Sequence, residues 1–87
     1  MDRVKELIEY MVAAVVDDPT AVHVHSEEHE MSTLYRVTVA PGNIGQALGK
    51  EGRVANAIRI VAKASAMKDK KKVYVEVEGR PGVMAGE

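Results

Sequence analysis

The feature that most constrains the fold of this chain is a Gly-x-x-Gly turn, with Gly49 and Gly52 at its ends, between two segments of helical periodicity. Glycine adopts backbone conformations that other residues resist, so the pair predicts a tight corner between a short helix and a longer one. Lys50 lies inside the turn and Arg53 directly follows it. The corner is either plain helix–turn–helix geometry or a loop that holds phosphate groups, and the rest of the sequence has to decide between them.

Charge is unevenly distributed along the 87 residues, although the formal net charge is only −1. Residues 1–30 carry two basic and eight acidic side chains, whereas residues 31–72 carry nine basic and two acidic ones. Residues 73–87 carry one basic and three acidic side chains. Because the local potential rather than the total charge governs binding, the basic central block, which contains the turn, is compatible with a nucleic-acid partner.

Composition limits the class of protein. At 87 residues the chain is long enough for one small domain, and its 46% hydrophobic and 29% charged content is typical of a folded globular protein. It has no Cys, Trp or Phe and three Tyr, so we expect an aliphatic core without disulfides or Cys-based zinc sites. No apolar run approaches the roughly 20 residues of a membrane span, and the first residues lack a signal-peptide pattern, which together predict a soluble cytoplasmic protein.

Alternation and helical periodicity predict six elements in the order α-β-β-α-α-β. The predicted ranges are a helix over 2–16, strands over 21–25 and 34–40 that form a hairpin, a short helix over 44–48, a helix from 52 to about 67 and a strand over 73–78. Asp2 is expected to cap the first helix and Asn43 the second. The prediction is an α+β domain over residues 1–78, with helices on one face of a three-stranded sheet. Residues 79–87 are rich in Gly and Pro and are expected to be a disordered tail.

The longer helix after the turn has an apolar arc of about 200°, wider than the roughly 100° that one sheet requires. The face expected to cover the sheet is formed by Val54, Ala57, Ile58, Val61 and Ala62, and the opposite polar side by Arg53, Asn56, Arg59 and Lys63. Ile60, Ala64 and Met67 fall at one edge of the apolar arc. This edge either packs against the first helix or forms a dimer seam, in which the small Ala64 allows close approach of a second helix.

Two nucleotide-binding motifs are also rich in glycine, but the spacing of the glycines in this chain excludes both. A P-loop needs four residues between its glycines and a hydroxyl residue after its Lys, but three residues separate Gly45 from Gly49 and an acidic residue follows the Lys. The Gly-x-Gly-x-x-Gly spacing of dinucleotide-binding folds does not occur. The functional interpretation that remains is a backbone clamp on a nucleic-acid strand, with Lys50, Arg53 and the free N–H groups of the helix start facing phosphates.

The stretch VAPGNIGQALGKEGRVANAIRIVAKASA resembles the Ile-Gly-x-x-(Ile/Leu)-Gly-Lys-x-Gly-Arg core of a type II KH domain. Over residues 2–78 the chain is similar to the small stand-alone bacterial KH-domain RNA-binding proteins of the KhpA (YlqC-like) family. The resemblance implies a mixed sheet, in which the strand before the two helices runs parallel to the last strand. It also implies a cytoplasmic protein that binds single-stranded RNA with low sequence selectivity in RNA-level regulation, as a homodimer or with a KH/R3H partner of the Jag (KhpB) type.

The resemblance also assigns candidate RNA-binding residues. The expected clamp is Gly49, Lys50, Glu51 and Gly52; Gly45 would permit close packing before it, Arg53 and Asn56 would line the phosphate side, and Ile44 and Leu48 would wall the groove that receives the bases. The carboxylate of Glu51 is expected to offset the charge of Lys50. No cofactor, metal ion or small-molecule substrate is expected.

A protein–protein adaptor is the main alternative function, in which the KH fold serves mainly to dimerise and the acidic residue of the clamp marks a lost affinity for phosphate. A metal site is conceivable in the segment that contains His23, His25, Glu27 and His29. Nothing completes a ligand set of known spacing there, so a solvated strand face is favoured. The lysines of residues 68–72 are interpreted as a solvated loop in preference to a flank for RNA. Catalysis is not expected, because the sequence has no Cys and no evident nucleophile–base pair.

Overall fold

A computed structural model describes residues 2–67 and 71–79 of the chain. Its helices and strands are α1 (Arg3–Val15), β1 (His23–Glu28), β2 (Ser32–Val39), α2 (Ile44–Leu48), α3 (Arg53–Ser65) and β3 (Lys72–Gly79), with short 3₁₀ turns at Pro19–Ala21, Pro41–Asn43 and Lys50–Gly52. The order α-β-β-α-α-β confirms the predicted α+β class. The last strand reaches Gly79, and the rest of the predicted tail lies outside the described residues, as does most of the lysine-rich segment before β3.

The three strands form one mixed sheet in the order β1-β2-β3. β1 pairs with β2 in antiparallel register, with Val24 opposite Val37, and β2 pairs with β3 in parallel register, with Tyr35 opposite Val75. A parallel pair cannot be closed by a tight hairpin, so the chain between β2 and β3 must cross over one face of the sheet. Helices α2 and α3 form that crossover, which confirms the strand directions that the family resemblance implies.

The core is an aliphatic layer between the sheet and the helices. Buried side chains alternate with exposed or half-buried ones along β3 and most of β2, as the period of two requires, and Thr38 near the end of β2 is buried as well. From the helices, Ile8 and Val12 of α1 are fully buried, and Ile58 of α3 is 3% exposed. Tyr35 is the one aromatic residue of this core among the described residues, which agrees with the expected aliphatic character.

Helix α1 begins where the sequence predicts. The carboxylate of Asp2 accepts a hydrogen bond from the backbone N–H of Lys5 at 3.0 Å, which confirms the N-cap. The same carboxylate accepts from the hydroxyl of Tyr35 at 3.0 and 3.1 Å, so one side chain both caps α1 and fastens it to β2. β1 extends to Glu28, beyond the predicted end at His25, because pairing with β2 outweighs the polar composition of the segment.

Asn43 does not cap α2, contrary to the prediction. It occupies the N-cap position without a side-chain capping bond, and its Oδ1 instead accepts from the backbone N–H of Asp18 at 3.0 Å. Beside it, Oε1 of Gln46 accepts from the backbone N–H of Asp17 at 2.9 Å. These two side chains hold the connection between α1 and β1 against the start of α2, and thus fix the position of the helix that leads into the Gly-x-x-Gly turn.

The buried face of α3 is rotated from the predicted one. Ile58 and Ala62 are buried as expected, but Ala57 is exposed and Val61 is 38% exposed. Ala55 and Ala66 are buried instead. Their small side chains let α3 lie close to the sheet, so the helix turns its alanine-rich side inward and leaves larger apolar side chains outside.

The hydrogen bond of Asn43 predicts a measurable loss of stability on substitution. Asn43→Ala should lower the free energy of unfolding by about 1–3 kcal/mol, because the part-buried N–H of Asp18 loses its acceptor. Gln46→Ala is the matched control, since its bond to Asp17 is exposed and water can replace it; we expect a change below about 0.5 kcal/mol. Urea denaturation followed by circular dichroism measures both, and equal losses in the two variants would contradict the assignment.

Candidate nucleic-acid interface

The turn between α2 and α3 consists of residues 49–52 and is called the clamp loop below. Gly49 has φ 79° and ψ 172°, and Gly52 lies in the left-handed region with φ 76° and ψ 14°. The N–H of Gly49 donates to the carbonyl of Gly45 at 2.8 Å, which ends α2, and the N–H of Gly52 donates to the carbonyl of Gly49 at 3.1 Å, which closes the turn. Positive φ at both ends explains why the sequence has glycine at these two positions.

Gly49 and Gly45 differ in what surrounds them. A Cβ on Gly49 would collide with the side chain of Val54 and lie 2.8 Å from the backbone N of Val54. A Cβ on Gly45 would meet nothing within 4 Å. Within the chain, close packing is therefore a property of Gly49 and not of Gly45, and the role of Gly45 beside a bound RNA stays a prediction.

Glu51 is strained in a way that the sequence did not indicate. Its φ of 59° and ψ of 25° place a residue other than glycine in the left-handed region, which costs about 1–2 kcal/mol. Its Oε1 lies 3.6 Å from Nη2 of Arg53, and both side chains are largely exposed. The carboxylate of Glu51 thus lies beside Arg53, and its offset of the Lys50 charge stays a prediction. An ion pair this exposed is weak, so an incoming anion can replace the carboxylate.

The backbone donors of the clamp loop are partly used within the chain. The N–H of Arg53 donates to the carbonyl of Lys50, so the predicted free N–H at this position is wrong. The attraction for an anion that remains comes from the exposed Lys50, from Arg53 and from the positive end of the 13-residue helix α3.

A polar stripe on α3 leads away from the clamp loop. It consists of Asn56, Arg59 and Lys63, which recur every three or four residues after Gly52 and are all exposed. Nε of Arg59 donates to the backbone carbonyl of Val75 at 3.2 Å, so the stripe lies beside the outer edge of β3 rather than opposite the sheet as predicted. Arg59 and Lys63 were not among the predicted site residues, although their spacing of three or four residues after Asn56 could have indicated that they share its side of α3.

The predicted groove residues Ile44 and Leu48 are half-buried on α2, on either side of the fully buried Ala47. Ile44 packs against the core. Four residues apart on a helix, they share one side of α2 next to the clamp loop. Their role as walls for bases stays a prediction.

The predicted dimer seam lies on the outer surface of α3. Ile60 is 60% and Met67 is 74% exposed, and Ala64 is exposed beside them. The interpretation in which they pack against the first helix is therefore wrong, since neither α1 nor any other described part of the chain covers them. The apolar side chains left outside form a continuous group, called the outer patch below: Ala57, Ile60, Val61, Ala64 and Met67.

The face of the sheet away from the helices carries a cluster of charged side chains around Arg36. Arg36 lies at its centre, 2.9 Å from Glu27, 3.6 Å from Glu78 and 3.8 Å from Glu76. One guanidinium therefore links three carboxylates, which leaves an excess of negative charge at the centre of this face. Within the described ranges, no three His, Cys, Asp or Glu residues approach closely enough to hold a metal ion, and no helix is long and apolar enough to span a membrane.

Comparison with known proteins gives consistent results. A family model described as KhpA/KhpB, KH domain, matches residues 5–77. The RNA-binding protein KhpA of Clostridium perfringens is 45% identical over 73 residues, which cover 84% of this chain and 97% of that protein. The proteins of the same name from Caldanaerobacter subterraneus and Chlamydia trachomatis are 43% and 40% identical over 72 and 73 residues; these cover 83% and 84% of this chain and 96% and 94% of the relatives.

The different surroundings of the glycines predict different effects of alanine. Gly49→Ala should lower the free energy of unfolding by at least about 2 kcal/mol, because it combines a positive φ with a collision against Val54. Gly45→Ala should leave stability unchanged or raise it by up to about 1 kcal/mol, because it lies in a helix and faces open space. Thermal and urea denaturation of the two variants test this, and a destabilised Gly45→Ala chain would contradict the geometry.

Proposed function

The chain belongs to the KhpA/KhpB family of KH domains, and on that premise we propose that it binds single-stranded RNA at the clamp loop. The observation that carries the proposal is an exposed loop that has two glycines with positive φ, Lys50 between them and the positive end of α3 behind it. Bare glycine backbone lets a phosphate approach the main chain closely. The relatives that carry the name RNA-binding protein KhpA support the same ligand.

The proposed grip acts on the RNA backbone. Lys50 contacts one phosphate. Arg53 releases the carboxylate of Glu51 and contacts the next phosphate, because the exposed ion pair between Arg53 and Glu51 is weak. Asn56 follows on the same side of α3 and donates its amide N–H to phosphate or ribose. Phosphates carry no sequence information, so this set of contacts predicts low sequence selectivity.

The bases are proposed to lie against the aliphatic wall of Ile44 and Leu48. KH domains hold four nucleotides in this manner, and an apolar wall does not distinguish bases by hydrogen bonds. Four nucleotides give modest affinity, so a second binding module would raise the effective concentration of the site. The outer patch is the proposed contact for that module, either a second copy of this chain or a KH/R3H protein of the KhpB type. The proposal includes a cytoplasmic location and a role in RNA-level regulation.

The family is one of RNA-binding rather than catalytic domains, which confirms the prediction that the chain is not an enzyme. The competing function is a protein–protein adaptor. Two observations favour it: Glu51 places a carboxylate in the clamp loop, and Ile60 and Met67 are apolar and uncovered. The two functions differ in the effect of salt, since phosphate contacts weaken as salt rises and apolar contacts do not.

RNA binding should be sensitive to salt and to the charge of the clamp loop. Two phosphate contacts by cationic side chains, Lys50 and Arg53, predict a slope of about −1.4 in a plot of log K against log salt for single strands. The double variant with Lys50→Asp and Glu51→Asp should lose at least about tenfold in affinity, because it replaces the attracting cation by a carboxylate. The control variant Lys5→Asp makes the same lysine-to-aspartate change on α1 instead of in the clamp loop, and it should bind RNA nearly as tightly as the native chain.

Fluorescence anisotropy with a pool of short labelled RNAs gives these affinities, and circular dichroism confirms that all three chains fold. If the native chain binds no RNA, or the double variant binds as tightly as the native chain, the clamp proposal is wrong and the adaptor function is favoured.

The outer patch predicts self-association. Ile60→Lys should shift the native chain towards the monomer in sedimentation experiments, because it places a charge in an apolar contact while leaving the exposed position folded. Tyr10→Lys, at a 75% exposed position of α1, is the control and should leave the association unchanged. A native chain that sediments as a monomer at all concentrations would remove the homodimer from the proposal.

A further inference from the structure

A second concave surface lies at the far end of α3 from the clamp loop. It is a cleft of about 460 Å³ between the last turns of α3 and the start of β3, called the distal cleft below, and it is lined by Lys63, Met67, Lys71, Lys72, Val73 and Tyr74. We propose that the distal cleft is a second RNA subsite, which stacks a base on Tyr74 and holds its phosphate with Lys63 and Lys72. This inference rests on the proposed function and extends it beyond the clamp.

Charge favours an anionic ligand in this cleft. Among the residues that the structure describes, its lining contains three lysines and no carboxylate. Nζ of Lys71 lies 3.2 Å from Oε1 of Glu28, so this lysine is partly neutralised. Lys63 and Lys72 have no ion-pair partner in the described part of the chain, so their charge is available to a ligand.

Tyr74 supplies the chemistry that distinguishes a nucleotide from a simple anion. Its side chain is 51% exposed on the edge strand β3, where it alternates with the buried Val73 and Val75 and so borders the cleft from the open face of the sheet. A base can stack on an exposed aromatic ring whatever its sequence, since every base has a π-face. Met67 and Val73 give the cleft an apolar margin next to the ring. The aromatic ring and the thioether can contact a base, and the two ammonium groups can bind the phosphate attached to it.

The polar stripe connects the two sites. Lys63 follows Arg53 by ten residues, so the distal cleft starts about 15 Å along α3 from the clamp loop. Asn56 and Arg59 lie between, and Arg59 is fixed at the edge of β3 by its bond to Val75. A strand held at the clamp loop therefore has a path of exposed polar side chains leading to Tyr74. The cleft would receive nucleotides beyond the four that a KH clamp holds.

A second copy of the chain is a poorer occupant than RNA. A symmetric contact centred on the cleft would bury the same surface of both subunits, so it would gather Lys63 and Lys72 of both copies in one interface. Like charges in contact oppose association, whereas a polyanion neutralises them. Met67 belongs to both the distal cleft and the outer patch, so the test has to separate RNA binding from self-association.

The test compares a tetranucleotide with an octanucleotide, both adenine-rich single-stranded RNA. The native chain should bind the octamer more tightly than the tetramer. Tyr74→Leu should reduce octamer affinity about tenfold and leave tetramer affinity unchanged, because only the longer RNA reaches the ring. Tyr74→Phe should retain octamer binding, and Tyr10→Leu, which removes an exposed ring from α1, is the matched control. Replacing Lys63 and Lys72 by Gln should make the salt slope for the octamer less steep by about 1.4.

The outcomes separate this inference from the proposed function. If Tyr74→Leu binds the octamer as tightly as the native chain while the Lys50→Asp, Glu51→Asp variant loses both RNAs, the distal cleft is not a subsite and the clamp stands. If the native chain binds neither RNA, both proposals are wrong. Sedimentation of Tyr74→Leu completes the test, since a shift to the monomer like that expected for Ile60→Lys would identify the cleft as a subunit contact and overturn the subsite.

Discussion

The parallel pairing of β2 with β3 determines most of the remaining structure. Parallel strands need a long connection, and here that connection is α2, the clamp loop and α3 on one face of the sheet. The two helices can meet only at a sharp corner, and the corner requires positive φ at Gly49 and Gly52. Gly49 must also leave space for Val54. The loop proposed to grip phosphate is therefore first a requirement of the crossover, and its exposed tip follows from that geometry.

The fold also separates charge between the two faces of the sheet. On the open face, Arg36 links three carboxylates, and the net charge there stays negative. On the helical face, Arg59 and Lys63 line one side of α3 from the clamp loop to its last turn. This separation explains how a chain with a formal net charge of −1 can attract RNA on one side. The distal cleft lies where the two sides meet, at the outer edge of β3.

Much of the fold was predictable because it depends on local signals. The alternating strand residues, the cap at Asp2 and the glycine turn each act within a few residues, and the structure has all three. The face of α3 was less predictable, because Ala57 and Val61 have the same helical spacing as true core residues. Whether a stripe is buried depends on which side of the helix can approach the sheet most closely, and the small side chains of Ala55 and Ala66 decide that.

The sequence by itself determined the order of the elements, the KH resemblance and the position of the clamp loop, since each of these depends on residues that are adjacent in the chain. Only the tertiary structure decided that Asn43 holds Asp18 instead of capping α2, and that Arg59 reaches the edge of β3. It also decided that Ile60 is left uncovered. The physical reason is the same in each case: these side chains have several partners that local spacing permits equally well, and contacts between residues far apart in the chain select one of them.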